Sequence, residues 1–176
     1  YTQTEFFLSQ LSQQHVLIDP AKVSILHTQS IQKNNQLVQD INPSTLFKSR
    51  KHATEITHIR NAMTKDGVAL SHFFYWLETA FTQNQPINEL IIDEKITAFR
   101  AEQVGFIGLS FSTIAGFNAN GALPHYRATK DSYSQIQGDG LLLIDSGAQY
   151  HDGTTDITRV IPIGTPSTEQ KRDYTL

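Results

Sequence analysis

The stretch LLLIDSGAQYHDGTTDITRVIPIG, residues 141–164, places a polar turn between two apolar segments. The first segment ends at Asp145, and Asp156 opens the second. Two such segments joined by a turn that contains Asp-Gly, here Asp152-Gly153, are typical of a β-hairpin. Because helical patterns precede this hairpin along the chain, we predict an α+β fold with an antiparallel sheet.

The register of the hairpin decides whether Asp145 and Asp156 meet. A pairing centred midway between them would place the two carboxylates opposite each other, with Cβ atoms about 4.5–5.5 Å apart on one face. A two-residue turn at Asp152-Gly153 gives a different register, in which Asp156 faces Gln149. A wider loop or a bulge would reconcile the two registers, so the spacing alone leaves both open.

Two ionised carboxylates that converge repel each other, which raises one pKa and opposes folding of the ionised pair. A divalent cation between them removes this conflict. Carboxylate-rich sites favour Mn²⁺, Mg²⁺ or Zn²⁺, and two ions roughly 3.5–4 Å apart can share bridging carboxylates. The alternative is structural: Asp145 caps a strand end and Asp156 hydrogen-bonds a turn, since Asp is common near turns.

The composition excludes several classes of protein. Fourteen Lys and Arg against 17 Asp and Glu give a formal charge of -3, which is unlike the basic surface that binds nucleic acid. The absence of cysteine excludes disulfides, thiolate nucleophiles and Cys-ligated metal sites, and favours the cytoplasm. No apolar run approaches the ~20 residues of a membrane helix. We therefore expect neither nucleic acid nor a membrane as a partner.

The pattern changes near residues 41–47, INPSTLF, where Pro43 interrupts it. Residues 1–43 alternate short helix and strand patterns in a piece too small to close its own core. We therefore predict a domain boundary after residue 43 and a second domain over residues 44–176. Both termini lie inside helical patterns, which indicates a fragment of a longer protein.

Two helices are predicted at the start of the second domain. One runs from about Lys51 to Gln83, and the other from Ile87 to Glu102. Large apolar residues recur at helical spacing in the first of them and predict its buried stripe. That stripe consists of Ile56, Ile59, Met63, Leu70, Phe74, Leu77 and Phe81.

The segment IDSGAQYHDGTTDITR, residues 144–159, closely resembles the metal-binding hairpin of the Xaa-Pro aminopeptidases. These enzymes belong to the methionine aminopeptidase and creatinase superfamily, which has the pita-bread fold. LSFSTIAGFNANGALPHY, residues 109–126, and HIRNAMTKDGVALSHFFYWLE, residues 58–78, are similar to further segments of that family. The resemblance implies that residues 44–176 are the first half of a pita-bread catalytic domain. It implies that residues 1–43 end a creatinase-type N-terminal domain.

The resemblance also implies roles for three residues. Asp145 and Asp156 fall on two of the family's five metal ligands, with Asp145 on one ion and Asp156 bridging two. His125 falls on a histidine that contacts the substrate and stabilises the tetrahedral intermediate. The implied enzyme releases the N-terminal residue from peptides with proline in second position. It uses two divalent ions, with Mn²⁺ favoured over Zn²⁺ or Co²⁺.

Taken without the resemblance, His125 carries little signal, because a single histidine is usually a surface or hydrogen-bonded residue. Tyr150 and Arg159 belong to the matched motif, and we interpret both as structural. Arg159 is in addition a candidate to pair with a nearby carboxylate. His151 lies in the hairpin turn, and we expect it to be exposed to solvent.

The family's remaining ligands are one His and two Glu in the second half of the catalytic domain. Two carboxylates alone provide too few donors for a dinuclear centre. We therefore expect the 176-residue polypeptide by itself to be inactive. An uncovered sheet face or edge in a half-domain also predicts self-association, as a homodimer or a larger assembly. Peptides that begin Xaa-Pro are the expected substrates.

Several alternatives remain. The first alternative is another enzyme of the same superfamily: prolidase, methionine aminopeptidase or creatinase. The sequence DSGAQYHDGTTD, residues 145–156, favours the Xaa-Pro aminopeptidases over these. A pita-bread protein that has lost its metal and acts as a binding module is a different class of protein, and the two intact Asp positions argue against it. The last alternative is a structural α+β domain with an acidic turn.

Overall fold

The computed structural model describes residues 3–175. The chain forms two compact units, Tyr1–His52 and Ala53–Leu176. The units therefore divide later along the chain than the boundary predicted after residue 43. The reason lies at Pro43, which starts a helix rather than ending a structured segment. Asn42 caps that helix by accepting a hydrogen bond from the Ser44 amide, and proline is well tolerated in a first helical turn.

The first unit is a small βαβ arrangement with a helix at either end. Its two strands pair in parallel, as the helix between them allows, and the alternation of helix and strand expected for this segment is observed. Ile18 and Ile31 are its buried apolar residues. Its elements are α1 (Thr4–Gln10), β1 (His15–Ile18), α2 (Ile25–Gln32), β2 (Gln36–Gln39) and α3 (Pro43–Ser49).

The second unit begins with two helices and continues with strands, so the predicted α+β fold is confirmed. A 3-10 turn over Asn118–Ala122 follows the second strand of this unit. The elements are α4 (Ala53–Thr82), α5 (Glu89–Ala101), β3 (Phe106–Leu109), β4 (Ile114–Phe117), β5 (Gly140–Ser146), β6 (Ala148–Tyr150), β7 (Gly153–Thr154), β8 (Ile157–Ile163) and α6 (Thr168–Thr175).

The strands of the second unit form two antiparallel sheets of three strands each. One has the order β3-β6-β7, and the other has the order β4-β5-β8. Residues 140–163 form one long hairpin whose tip lies in the first sheet and whose base lies in the second. The main apolar core lies between the base sheet and helices α4 and α5, and includes Phe73, Ile92, Leu142 and Ile144.

The predicted helix α4 is confirmed, but its predicted buried stripe is wrong in its first half. Ile56, Ile59 and Met63 are exposed. The buried face runs instead through Ala62, Asp66, Ala69, Leu70, Phe73, Leu77 and Ala80. Small residues on this face let the helix approach its neighbours closely. Although α4 has 30 residues, neither it nor any other helix within residues 3–175 is long and apolar enough to cross a membrane.

Candidate metal centre

The hairpin adopts neither of the two registers considered from the sequence. Tyr150 pairs with Gly153 at the tip, so the two-residue turn is His151-Asp152. The same register continues into the base, where Asp145 lies opposite Thr158. One register had placed Asp156 opposite Asp145 and the other had placed it opposite Gln149. In the structure Asp156 lies opposite neither residue. The sequence predicts a turn at Asp152-Gly153, but Gly153 is instead the first residue of strand β7 and pairs with Tyr150.

Gly147 is where the hairpin passes from one sheet to the other. A Cβ atom at Gly147 would lie 2.0 Å from the Thr155 carbonyl oxygen, so only glycine fits there. That carbonyl is withdrawn from the strand pairing because it accepts a hydrogen bond from the Ser110 hydroxyl at 2.9 Å. The Thr155 hydroxyl replaces it and accepts the Ala148 amide hydrogen at 2.9 Å. The register is therefore preserved across the crossing.

Asp145 and Asp156 lie on one face of the hairpin. Thr155 and Ile157 are buried whereas Asp156 and Thr158 are exposed, so side chains alternate faces up to the start of β8. This alternation places Asp156 on the same face as Thr158, the residue that lies opposite Asp145. The two carboxylates are thus diagonal neighbours, a relation that in a regular sheet separates positions by about 7–8 Å.

The partners of these two carboxylates are few. Asp145 is half-buried, and its Oδ1 accepts a hydrogen bond from the Thr158 hydroxyl at 2.7 Å. Within residues 3–175, neither Asp145 nor Asp156 forms an ion pair. The pairing suggested for Arg159 is not observed within residues 3–175, where its Nη1 donates to the Thr158 carbonyl oxygen. In the described part of the chain, no Lys or Arg pairs with the two carboxylates on this face.

His125 lies on a segment that crosses the same face. This segment begins with the 3-10 turn, whose Gly121 packs so closely on β4 that a Cβ at Gly116 would lie 2.7 Å from the Gly121 Cα. Gly116 pairs with Leu143, which shares the face of Asp145 two residues further along β5. His125 follows Gly121 by four residues, is exposed, and has a left-handed backbone with φ 57°.

The donor set on this face fits a hard divalent cation but does not complete a site for one. Carboxylate oxygens are the ligands that such ions prefer, and the two available here lack competing positive partners. However, no group of three or more His, Cys, Asp or Glu side chains suited to a metal occurs in the part of the chain that the structure describes. Asp145 and Asp156 can therefore supply part of a metal site.

A buried carboxylate that the sequence reasoning missed lies at the start of α5. Glu89 is fully buried, and its Oε1 accepts the Phe117 amide hydrogen at 2.7 Å. Its Oε2 accepts the Tyr126 hydroxyl at 2.8 Å and the Ser134 amide at 2.7 Å. Burial raises the pKa of Tyr126 above the usual value of 10.0. The hydrogen bond to Glu89 and the charge of the Glu89 carboxylate raise this pKa further. The signal available in the sequence was Asn88, a typical helix-capping residue that places Glu89 at the first position of α5.

A second buried carboxylate joins three elements. Asp66 on α4 receives two hydrogen bonds from the Arg100 guanidinium of α5, at 2.7 and 3.0 Å, and all of these atoms are shielded from solvent. The Tyr150 hydroxyl at the hairpin tip also donates to Asp66, at 3.0 Å. Burial and the nearby Asp66 carboxylate raise the pKa of Tyr150 above its usual value. The structural role expected for Tyr150 is thus observed.

A lysine of helix α4 contacts the turn at the hairpin tip. The Lys65 ammonium forms an ion pair with Asp152, and this hydrogen bond lowers the pKa of the Asp152 carboxyl below its usual range. His151 in the same turn is exposed, as expected. Together with Tyr150, this pair fixes the tip against α4, at the opposite end of the hairpin from the open base.

Comparison with known families and proteins agrees with the resemblance. The model of metallopeptidase family M24 matches residues 57–176. Aminopeptidase P2 of Arabidopsis thaliana is 40% identical over 133 residues, which cover 76% of this chain and 19% of that protein. Xaa-Pro aminopeptidase 1 of Dictyostelium discoideum is 39% identical over 164 residues, which cover 91% of this chain and 26% of that protein. The chain thus spans about a fifth to a quarter of the length of these relatives.

A solved structure supports the fold over nearly the whole chain. The X-prolyl aminopeptidase of Caenorhabditis elegans superposes with a TM-score of 0.82 at 26% sequence identity. The match covers 96% of this chain and 29% of that one. That protein is described as a cytosolic enzyme with a di-nuclear active site.

Proposed function

Because this chain belongs to metallopeptidase family M24, we propose that the complete protein is a metal-dependent aminopeptidase acting on peptides with proline in second position. It releases the residue that precedes the proline. Aminopeptidase P2 and Xaa-Pro aminopeptidase 1, which are 40% and 39% identical where they match, support this substrate class. The single observation that carries the proposal is the open face on which Asp145 and Asp156 lie together, with no ion pair to either from residues 3–175.

Asp145 and Asp156 would hold part of a centre of two divalent ions, Asp145 as a ligand of one ion and Asp156 as a ligand that the two ions would share. Mn²⁺ is the proposed metal, with Zn²⁺ and Co²⁺ as the alternatives. When bound, such ions polarise a carbonyl group and activate a water molecule for hydrolysis. The hydrogen bond from Thr158 to Oδ1 fixes the orientation of the Asp145 carboxylate, as outer partners of metal ligands commonly do.

His125 is proposed to act on the substrate and not on the metal. A ring N–H of His125 donates a hydrogen bond to the oxygen of the scissile carbonyl as negative charge develops on it. The exposed position of His125 on the segment that crosses the Asp145 face leaves its ring accessible to a bound peptide. The left-handed backbone at His125 is a conformation that persists only where its surroundings hold it.

The 176-residue polypeptide alone is proposed to be inactive. Asp145 and Asp156 supply two of the several donors that two ions require. We also propose that the second unit, which makes up most of the predicted domain 44–176, is the first half of a pita-bread catalytic domain and that the first unit ends an N-terminal domain. A homodimer in the cytoplasm is the proposed form of the complete protein. Light scattering of the purified complete protein tests whether it is a dimer, and fractionation of cells tests whether it is cytoplasmic.

The substrate class is tested with the complete protein and matched peptides. Arg-Pro-Pro should release free arginine, whereas Arg-Ala-Pro should not, and the dipeptide Arg-Pro should be a poor substrate. A chelator should abolish the activity, and Mn²⁺, Zn²⁺ and Co²⁺ added back in parallel rank the metals. Cleavage confined to the dipeptide would indicate a prolidase. No cleavage of any peptide, with metal present, would contradict the proposal and favour a binding module.

A further inference from the structure

The fully buried Glu89 lies outside the proposed metal centre, yet it binds both ends of the segment that carries His125. Phe117 and Asn120 donate to it from before His125, and Tyr126 and Ser134 donate from after it. The contacts to Phe117 and Ser134 come from backbone amides, so Glu89 fixes the path of the main chain as well as the side chains.

The partners of Glu89 are all neutral groups. A buried carboxylate without a positive partner is costly unless its lone pairs are filled, and here both oxygens accept hydrogen bonds of 2.7–3.2 Å. Asn120 also contacts the Tyr126 and Ser134 hydroxyls, each at 3.0 Å. A glutamine at this position would present an amide N–H toward groups that are already donors. The network therefore specifies a carboxylate.

Tyr126 connects this network to His125, because the two residues are adjacent in the chain. The Tyr126 hydroxyl reaches Glu89 at 2.8 Å and lies 3.3 Å from the Ser132 carbonyl oxygen. These contacts hold Tyr126, and Tyr126 is bonded directly to the left-handed His125. On the other side of His125, the close packing of Gly121 on Gly116 fixes the turn over the face that carries Asp145.

We infer that Glu89 is a positioning residue that acts through Tyr126 to hold His125 over the Asp145 face. This inference rests on the proposed function, because it gives Glu89 a part in the same site. Glu89 touches neither the substrate nor the metal in this account. Loss of the network leaves both metal ligands in place and displaces only the segment 117–134.

The first test measures hydrogen exchange of peptides from residues 118–133 in the complete protein. Tyr126→Phe removes only the hydroxyl, and Glu89→Gln removes the charge. Both variants should exchange at least tenfold faster than wild type in this segment, because the hydrogen bonds that close it are weakened. Tyr133→Phe is the matched control, since Tyr133 is exposed in the same segment, and it should exchange like wild type. Unchanged exchange in Tyr126→Phe would overturn the inference.

The second test is a double-mutant cycle on peptide cleavage. Tyr126→Phe should lower kcat/KM about tenfold, the size expected for one lost hydrogen bond to a charged group. In a His125→Ala background the same change should cost less than twofold, because its effect passes through His125. Additive losses would assign Tyr126 and Glu89 a purely structural role and overturn the inference.

The two tests separate this inference from the proposed function. If His125→Ala cleaves peptides as fast as wild type, the proposed role of His125 fails, whatever the exchange data show. If the complete protein cleaves no peptide, the proposed function fails, and hydrogen exchange alone decides whether Glu89 and Tyr126 hold the segment. Should Glu89→Gln fail to fold, Tyr126→Phe still gives both readouts.

Discussion

Two pairs of carboxylates in this chain carry the same charge but have opposite surroundings. Asp66 and Glu89 are fully buried, and each accepts several hydrogen bonds from the chain itself. Asp145 and Asp156 lie on an accessible face, where a single threonine hydroxyl is the only partner observed for either within residues 3–175. The first pair joins elements of the fold, whereas the second remains available to bind something else.

This contrast shows how the chain separates stability from binding. A buried charge that is fully paired resists change, because removing its partner leaves an uncompensated charge in the interior. An accessible carboxylate without a partner contributes little to folding and can bind a cation at small cost. The hairpin contains both kinds of residue, since Tyr150 at its tip donates to Asp66 while Asp145 lies at its open base.

The largest expected effect concerns the open pair. Asp156→Ala in the complete protein should lower kcat by at least about 10³-fold, because it removes a ligand that both ions share. Its melting temperature without metal should stay close to that of wild type, as the Asp156 side chain has no hydrogen bond or ion pair to lose among residues 3–175. Asp152→Ala, which removes a carboxylate in the turn of the same hairpin that is paired with Lys65, serves as the control and should retain activity. Retained turnover in Asp156→Ala would refute the metal assignment.

The next effect concerns the buried pair. Asp66→Ala should lower the free energy of unfolding by about 3–5 kcal/mol, because the Arg100 guanidinium would be left buried and unpaired. Urea denaturation followed by circular dichroism measures this loss. Asp131→Ala, at an exposed position, should change stability little. A loss below about 1 kcal/mol for Asp66→Ala would show that the buried ion pair does not hold the helices together.

A smaller loss is expected at the hairpin tip. Tyr150→Phe removes the hydroxyl that reaches Asp66 and should cost about 1–3 kcal/mol. Burial raises the pKa of Tyr150 above its usual value, so this contribution is fully present below pH 10.0 and is lost as the pH rises toward the folded-state pKa. Wild type should therefore lose more stability above pH 10.0 than the variant does. Equal alkaline sensitivity of the two proteins would argue against the interaction.

The smallest effect concerns the accessible ion pair of the turn. Lys65 lowers the pKa of Asp152, so the pair stabilises the fold above the usual pKa of 3.8 and loses this contribution as the pH falls through the folded-state pKa. Melting temperatures of wild type and Asp152→Asn should differ slightly at pH 7 and converge below pH 3.8. A difference that persists at low pH would point to a cause other than the charge.

The sequence predicts the order of elements well and their packing less well. The hairpin over residues 140–163 and the helices α4 and α5 follow from apolar periodicity, and they occur where the pattern places them. The buried stripe of α4 does not follow, because the helix buries Ala62, Asp66 and Ala69 while Ile56 and Ile59 stay exposed. Counting large apolar residues overlooks small residues at close contacts and a charge whose partner is 34 residues away.

The register of the hairpin shows the same limit at the candidate site. The motif located Asp145 and Asp156 on one hairpin, but their pairing depends on Thr155, whose hydroxyl replaces its own carbonyl in the ladder. Nothing in the spacing of the residues indicates this exchange. The role of Glu89 escaped notice for a related reason, since its contact with Tyr126 joins residues 37 apart and Glu89 lies in no recognised motif.

The central claim is that Asp145 and Asp156 together bind divalent cations. The most direct measurement is a crystal structure of the complete protein with Mn²⁺, in which anomalous scattering locates the metal. We predict two anomalous peaks, one bonded to a carboxylate oxygen of Asp145 and both bonded to Asp156. Peaks that lie only elsewhere, or side chains of these two residues on opposite faces of the sheet, would contradict it.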